Sequence, residues 1–329
     1  MQRTRILLFV TSIILVPLVT YFVILFARGY RLNWQRKQLS PTGLLVATSV
    51  PDGAQIHVNG QLSSATNTTI NLSPGTYKIE IKKDGFSPWS KLLKVEAEIV
   101  TRGTATLFPS VPSLKAITTS GASAPVLSPD NTKIAFTSGK KLYLLDLTES
   151  PLGLINRQAQ EIATTSAAWK TPPKVNLLVT LPQTLQDILA TAAGNLVWSP
   201  KENKLLYTAT ASASIPDDLI RPLPGSSTQS QSRALVEGQT YVYDLEEDRN
   251  FAVPTGVSWF PDSAHLLLTE KGKITVLEYD GQNATVVYAG PMENSFAFPY
   301  PSGKQLLILA NLSSNSKTSV PNLYAVSLR

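Results

Sequence analysis

Three hydropathy patterns divide the chain. Residues 6–27 (ILLFVTSIILVPLVTYFVILFA) run for 22 positions without a charge. At 1.5 Å per residue they would span about 33 Å as a helix, close to the hydrocarbon thickness of a bilayer. Beyond them the period drops to two. Tyr77-Lys78-Ile79-Glu80-Ile81-Lys82 alternates apolar and charged residues, which predicts a strand with one buried and one wet face. A helical period returns only near 183–193, where Leu185, Ile188, Leu189 and Ala192 share one side and predict a short surface helix.

The first pattern reads as an uncleaved membrane anchor. A signal peptide's apolar region is typically ~7–15 residues and ends at a small-x-small site. This run is longer and ends in Phe-Ala-Arg-Gly-Tyr. The lipid bilayer is therefore the expected partner of residues 6–27, with a cytoplasmic N-terminus at 1–5 and a basic stem at 28–41. Thr11, Ser12 and Thr20 are expected to return hydroxyls to helix carbonyls, and Pro17 to kink the helix without breaking it. Tyr30 and Trp34 suit the interface beyond the span. Arg3 and Arg5 argue for a cytoplasmic N-terminus, whereas Arg28, Arg31, Arg36 and Lys37 argue the other way. The body is placed outside the cell as the usual location for one of this kind.

After the stem, short strands are punctuated by turns. Asn59-Gly60 is a strong hairpin signal because both residues accept positive φ. Ser73-Pro74-Gly75 and Lys83-Asp84-Gly85 are further turns. Strands are expected at 44–49, 55–58, 77–82, 91–95 and 99–107. Several residues then carry a resemblance: Gly43-x-Leu45-x-Ala47-x-Ser49-x-Pro51-x-Gly53-Ala54-x-Ile56-x-Val58-Asn59-Gly60, Leu72-x-Pro74-Gly75-x-Tyr77 and Lys83-x-Gly85-Phe86-x-Pro88-Trp89. Residues 42–108 resemble the PEGA domain, a small β-sandwich-like module of microbial surface proteins. The family's Gly-x-Thr-Pro turn is replaced by Ser64-Ala65-Thr66-Asn67-Thr68. The resemblance implies a surface spacer or adhesion module and supplies no catalytic residues.

Residues 109–124 are poor in large apolar side chains and read as a linker. A degenerate repeat follows over 125–329: a strand ending at a proline turn, a strand of Leu, Ile or Val, and a further alternating strand. Copies begin at Val126-Leu127-Ser128-Pro129-Asp130, Leu196-Val197-Trp198-Ser199-Pro200, Val257-Ser258-Trp259-Phe260-Pro261-Asp262 and Phe296-Ala297-Phe298-Pro299-Tyr300-Pro301. A weaker copy is Ala168-Trp169-Lys170-Thr171-Pro172 with 175–179. The set resembles WD-repeat-like propellers of the TolB type. With blades of about 40–45 residues, the resemblance implies about five. The long interval from Pro200 to Pro261 is assigned to a Ser-, Pro- and Gln-rich insertion at 211–238, expected as a mobile loop.

Charge and composition remove several function classes. The net charge of +6 suits a nucleic-acid binder until it is located. Residues 1–40 hold six of the 29 Lys and Arg and no acid; the 23 that remain equal the 23 Asp and Glu. The body is formally neutral, so no nucleic-acid partner is expected. Without cysteine there is no disulfide, thiolate site or cysteine nucleophile.

Candidate chemistry is sparse. His57 and His265 lie far apart and predict no zinc site. Asp262, Ser263 and His265 are too close in sequence to form a hydrolase triad by themselves, and no Gly-x-Ser-x-Gly elbow exists. Asp244, Glu246 and Asp248 lack the glycine and distal Glu of a calcium loop and are expected at a solvated hairpin end. Thr137-Ser138-Gly139-Lys140-Lys141 lacks P-loop spacing and reads as a turn. Trp169, Trp198 and Trp259 either stack on a carbohydrate or pack between blades, with packing favoured by the equivalent positions of Trp198 and Trp259.

The sequence thus predicts a mainly β protein: transmembrane helix, PEGA β-sandwich-like domain and degenerate β-propeller. No catalytic, cofactor or metal residues are assigned. The expected role is non-catalytic, with the propeller binding an envelope polymer, glycan or protein. A degenerate propeller hydrolase or hydrolase-associated subunit, and an envelope sensor or assembly factor, are the alternatives.

Overall fold

The computed structural model describes residues 2–27, 29–33, 38–148, 159–162, 177–223, 227–312 and 320–329. The chain divides into two compact units. One comprises Met1–Lys83, Pro88–Leu107 and Leu223–Thr228; the other comprises Asp84–Ser87, Phe108–Pro222 and Gln229–Arg329.

The first unit opens with the helix Gln2–Ala27. Its segment Phe9–Ala27 has a mean hydropathy of 2.5, and none of that surface is covered by protein. The helix is therefore long and apolar enough to cross a bilayer. Ser12 Oγ donates to Phe9 O at 2.9 Å and Thr20 Oγ1 to Val16 O at 2.8 Å, so these polar groups are satisfied within the helix. The expected stem contains a ladder, Tyr30–Asn33 against Gln38–Pro41. The Thr42 amide and hydroxyl both donate to Gly29 O. Arg28, Trp34, Arg36 and Lys37 lie outside the described residues.

Two sheets then form the small sandwich. In one, Gly43–Val50 lies between Thr68–Leu72, antiparallel, and Val100–Thr106, parallel. The other has the order Gln61–Ala65, Gln55–Val58, Gly75–Lys82, Trp89–Val95. The alternation at 77–82 does what its period requires. Ile79 and Ile81 are fully buried, while Lys78 and Lys82 flank Glu80 at 3.2 and 3.4 Å on the other face. The Lys78 hydrogen bond, against some desolvation, leads in lowering the Glu80 carboxyl below its ordinary value. Leu45, Ala47, Ile56, Trp89, Leu93 and Ala105 complete the core. A Cβ at Gly43 would stand 2.2 Å from Glu96 O and 2.5 Å from Val95 Cγ1, so only glycine fits there.

The second unit contains four four-stranded antiparallel sheets among the described residues. The first is Ser123–Leu127, Lys133–Ser138, Lys141–Asp146 and Gln160–Ile162. The second is Ala193–Trp198, Lys204–Ala209, Thr240–Asp244 and Arg249–Val253. The third is Val257–Trp259, His265–Glu270, Lys273–Glu278 and Thr285–Ala289. The fourth has Ala297–Pro299, Gln305–Ala310 and Asn322–Ser327, with Leu114–Ala116 as its outer strand. These are propeller-type blades. Apolar cores join first to fourth through Phe136, Leu145 and Leu309, and fourth to third through Ile308, Val276 and Phe260. Leu206, Val242, Leu266 and Leu277 join third to second.

Each sheet carries the same turn. Ser128, Ser199, Phe260 and Tyr300 donate their amides to Lys133, Lys204, His265 and Gln305 carbonyls at 2.9–3.0 Å. Their own carbonyls accept from Asn131, Glu202, Ser263 and Gly303. Those four residues all sit at φ of 58, 58, 63 and 66°, the left-handed region that L side chains resist. Gly303 avoids that strain, and a Cβ there would stand 2.9 Å from the Phe260 ring. Glu202 does not avoid it. Replacing Glu202 by glycine is expected to stabilise this unit by about 0.5–1 kcal/mol, read as a higher urea midpoint. An unchanged or lower midpoint would show that the unfolded-state entropy gained by glycine matches or outweighs the relief.

Several expectations are corrected. The linker at 109–124 is in part blade: Leu114–Ala116 pairs with Asn322–Ser327. Its polar neighbours are hydrogen-bonded there too, because the final strand needs partners along its length. Ile117 N donates to Leu323 O, Leu323 N to Thr118 Oγ1, and Gly121 N to Asn322 Oδ1. Four such sheets occur among the described residues, and these do not include the weak copy of the about five expected. The weak copy at 168–172, with Trp169, lies outside the described residues, and its continuation is a turn at Leu177–Thr180 and the helix Gln183–Ala192. Leu185 and Leu189 of that helix cover Leu205, Tyr207, Tyr241 and Tyr243 on the second sheet. The loop at 211–238 contains a small ladder, Ala213–Ser214 with Ala234–Leu235, and buries Ile215 and Leu235 in the same core.

Candidate functional site

The four recurring turns converge on one pocket of about 510 Å³. Asp130 and Asn131 come from the first sheet's turn, Trp198 and Pro200 from the second, Ser258, Trp259 and Pro261 from the third, and Phe298, Pro299 and Pro301 from the fourth. Its position follows from the repeat. Equivalent turns at the ends of the first strands bring equivalent residues to one place.

Trp198 and Trp259 pack against apolar cores, as favoured, and also line the pocket. Each is half-buried, Trp198 beside Leu205 and Trp259 beside Leu266. Trp259 Nε1–H donates to Val197 O at 2.9 Å, fixing the indole and tying the third sheet to the second. Lys201 N donates to Ser263 Oγ at 2.9 Å across the same two turns.

Asp130 is the ionised member of the lining. Its Oδ1 accepts from Ser128 Oγ at 2.6 Å, Thr132 Oγ1 at 2.8 Å and Thr132 N at 3.1 Å. The Ser128 bond, then those from Thr132, hold the carboxyl below its ordinary value.

The other sequence candidates lie elsewhere. Asp262 Oδ1 accepts the amides of Ala264 and His265, and its Oδ2 lies 2.7 Å from His265 Nδ1. Burial raises the Asp262 carboxyl but the His265 hydrogen bond and charge lower it further, for a net downward shift. His265 is wedged edge-on between the rings of Phe108 and Phe260, at 5.7 and 6.2 Å. Ser263 Oγ is engaged by Lys201, so the three residues form a structural turn. His57 is half-buried in the strand Gln55–Val58.

The acidic run at 244–248 departs from its expected solvated end. Asp244 is 1% and Asp248 4% exposed. Asp244 pairs with Lys204 at 3.2 Å and accepts the amides of Glu246 and Glu247. Asp248 pairs with Arg233 at 3.0 Å and accepts from the Tyr243 hydroxyl. Burial, with the Asp248 bond, pushes the Tyr243 phenol upward. Lys204 Nζ also lies 4.6 Å from the centre of the Tyr279 ring. No group of three or more His, Asp or Glu suited to a metal occurs among the described residues.

Comparison with known proteins agrees on the first body. The PEGA domain profile matches residues 42–110. No curated protein matches the chain. Among solved structures, a chain from Agrobacterium tumefaciens described as TolB is 13% identical with a TM-score of 0.22, covering 63% of this chain and 73% of that one. TolB from Acinetobacter baumannii is 14% identical with a TM-score of 0.21, covering 83% and 63%. An acylaminoacyl peptidase from Pyrococcus horikoshii is 14% identical with a TM-score of 0.23, and this chain spans 41% of its length. At such scores the blade assignment rests on the sheets and turns themselves.

Proposed function

We propose that this is a membrane-anchored, non-catalytic binding protein of the cell envelope. The N-terminal helix spans the bilayer with residues 1–5 in the cytoplasm, the PEGA domain acts as a spacer, and the propeller-like unit binds an envelope polymer, glycan or protein. One observation carries this reading: the four repeated turns build a concave pocket lined by aromatic side chains, one of which, Trp259, is fixed by a hydrogen bond. Such pockets, apolar with a few placed polar groups, are recognition sites. The lining is composed of recognition groups, and one oxygen of its carboxylate is held by turn hydrogen bonds.

Two measurements test the reading. Removing residues 2–27 is expected to move the protein from the membrane fraction to the soluble one, and protease added to intact cells should digest the body of the native chain. Protection of the body in intact cells would reverse the orientation. The native protein should also enrich material from isolated envelopes, and Trp198→Ala with Trp259→Ala should lose that enrichment. Equal capture by the double variant would remove the pocket from the role.

A further inference from the structure

The pocket's chemistry narrows its ligand, on the reading that it is a binding site. Among the described residues its lining has one charged side chain, Asp130, and no Lys, Arg or His. Three half-buried aromatic residues, Trp198, Trp259 and Phe298, share the lining with it. Trp259 has spent its only donor on Val197 O, so it offers a ligand π surface and no hydrogen bond. Four of the lining residues are prolines, which have no amide to donate. Hydrogen-bond donors are therefore few: the side chains of Asn131, Ser258 and Trp198 are those the lining provides.

That balance disfavours an anion, which needs cationic or amide donors. It also disfavours a sugar, whose hydroxyls need paired donors and acceptors. Electron-rich ring faces with one carboxylate match a compact organic cation, because the ring quadrupole attracts positive charge within about 6 Å of its centre. The Asp130 carboxylate is kept ionised by bonds that all fall on Oδ1, and its negative charge belongs to the pocket lining. A quaternary ammonium fits best. It has no N–H to satisfy, and it sheds water more easily than a primary ammonium.

We infer that the pocket formed by the four turns binds a quaternary ammonium group, held by Trp198, Trp259 and Phe298 and neutralised by Asp130. The group would be the head of a larger envelope component; alone it should bind weakly, with Kd on the order of 1 mM.

The test uses the full-length protein in a maltoside micelle, titrated with choline, tetramethylammonium and the neutral choline isostere 3,3-dimethylbutan-1-ol, followed by tryptophan emission and calorimetry. Choline and tetramethylammonium are expected to saturate, and the neutral isostere to bind about tenfold more weakly or not at all. Asp130→Asn, an exposed and conservative change, should weaken choline about tenfold. Trp259→Phe should weaken it less, because an aromatic face remains. Equal binding of the neutral isostere, an unaffected Asp130→Asn variant, or a response matched by sodium chloride would each overturn the inference. Choline is then added to the envelope capture. Capture that choline does not compete overturns the inference and leaves the binding role standing. Saturable choline binding without envelope capture upholds the inference and removes that role.

Discussion

Lys204→Met is expected to destabilise the second unit by about 3–5 kcal/mol, the usual cost of leaving a buried charge without its partner. Lys204 and Asp244 face each other across paired strands, with side chains 7% and 1% exposed and Nζ 3.2 Å from Oδ2. Glu246 lies 3.9 Å from the same ammonium but is half exposed, so it contributes little. Removing the lysine strands the Asp244 carboxylate in the interior. The Glu246 and Glu247 amides that it accepts offset only part of the loss. Adding Asp244→Asn should therefore recover about half of the deficit, since an amide oxygen keeps both acceptor roles without the charge. Urea unfolding followed by tryptophan emission reads both steps. A shift for Lys204→Met below about 1 kcal/mol would mean that water reaches the pair.

Ile117→Pro should cost about 2–3 kcal/mol, by removing the Ile117 N–H that donates to Leu323 O at 2.8 Å and the apolar side chain that packs on the core of the first and fourth sheets. The loss should fall on the second unit alone. The transition of the PEGA domain, whose Trp89 reports separately, should keep its midpoint. A substitution at exposed Lys115 to another polar residue, by contrast, should be neutral within about 0.5 kcal/mol, because only its backbone is used. If Ile117→Pro left the unfolding curve unchanged, the outer strand of the fourth sheet would be ornamental to stability.

These two sites mark where the sequence was legible and where it was not. The proline turns were legible because their constraint is local. Four residues close one turn, and each copy carries its own proline and left-handed position. The alternation at 77–82 and the helical spacing of Leu185, Leu189 and Ala192 were legible for the same reason. The strand Leu114–Ala116 was not, because all three residues are exposed and its partner lies about two hundred positions away. Asp244 and Asp248 read as solvated because acids beside a turn normally are. What buries them is Lys204 and Arg233, brought in by strand pairing and by the small ladder inside the insertion. The pocket lay between these cases. Its residues were visible one by one in the repeats, but their convergence is a property of the assembled sheets.

The seam between Leu114–Ala116 and Asn322–Ser327 has a consequence for biosynthesis. The fourth sheet pairs Leu114–Ala116 with Asn322–Ser327, so it cannot be completed until residue 327 has been translated. Loop closure over such a span contributes to a high contact order and slow folding. The three sheets whose strands follow one another can assemble while the chain is still being made; the fourth waits. A chain lacking Asn322–Ser327 would leave the strand Gln305–Ala310 with an unpaired edge, a mark for proteolysis and a seed for aggregation.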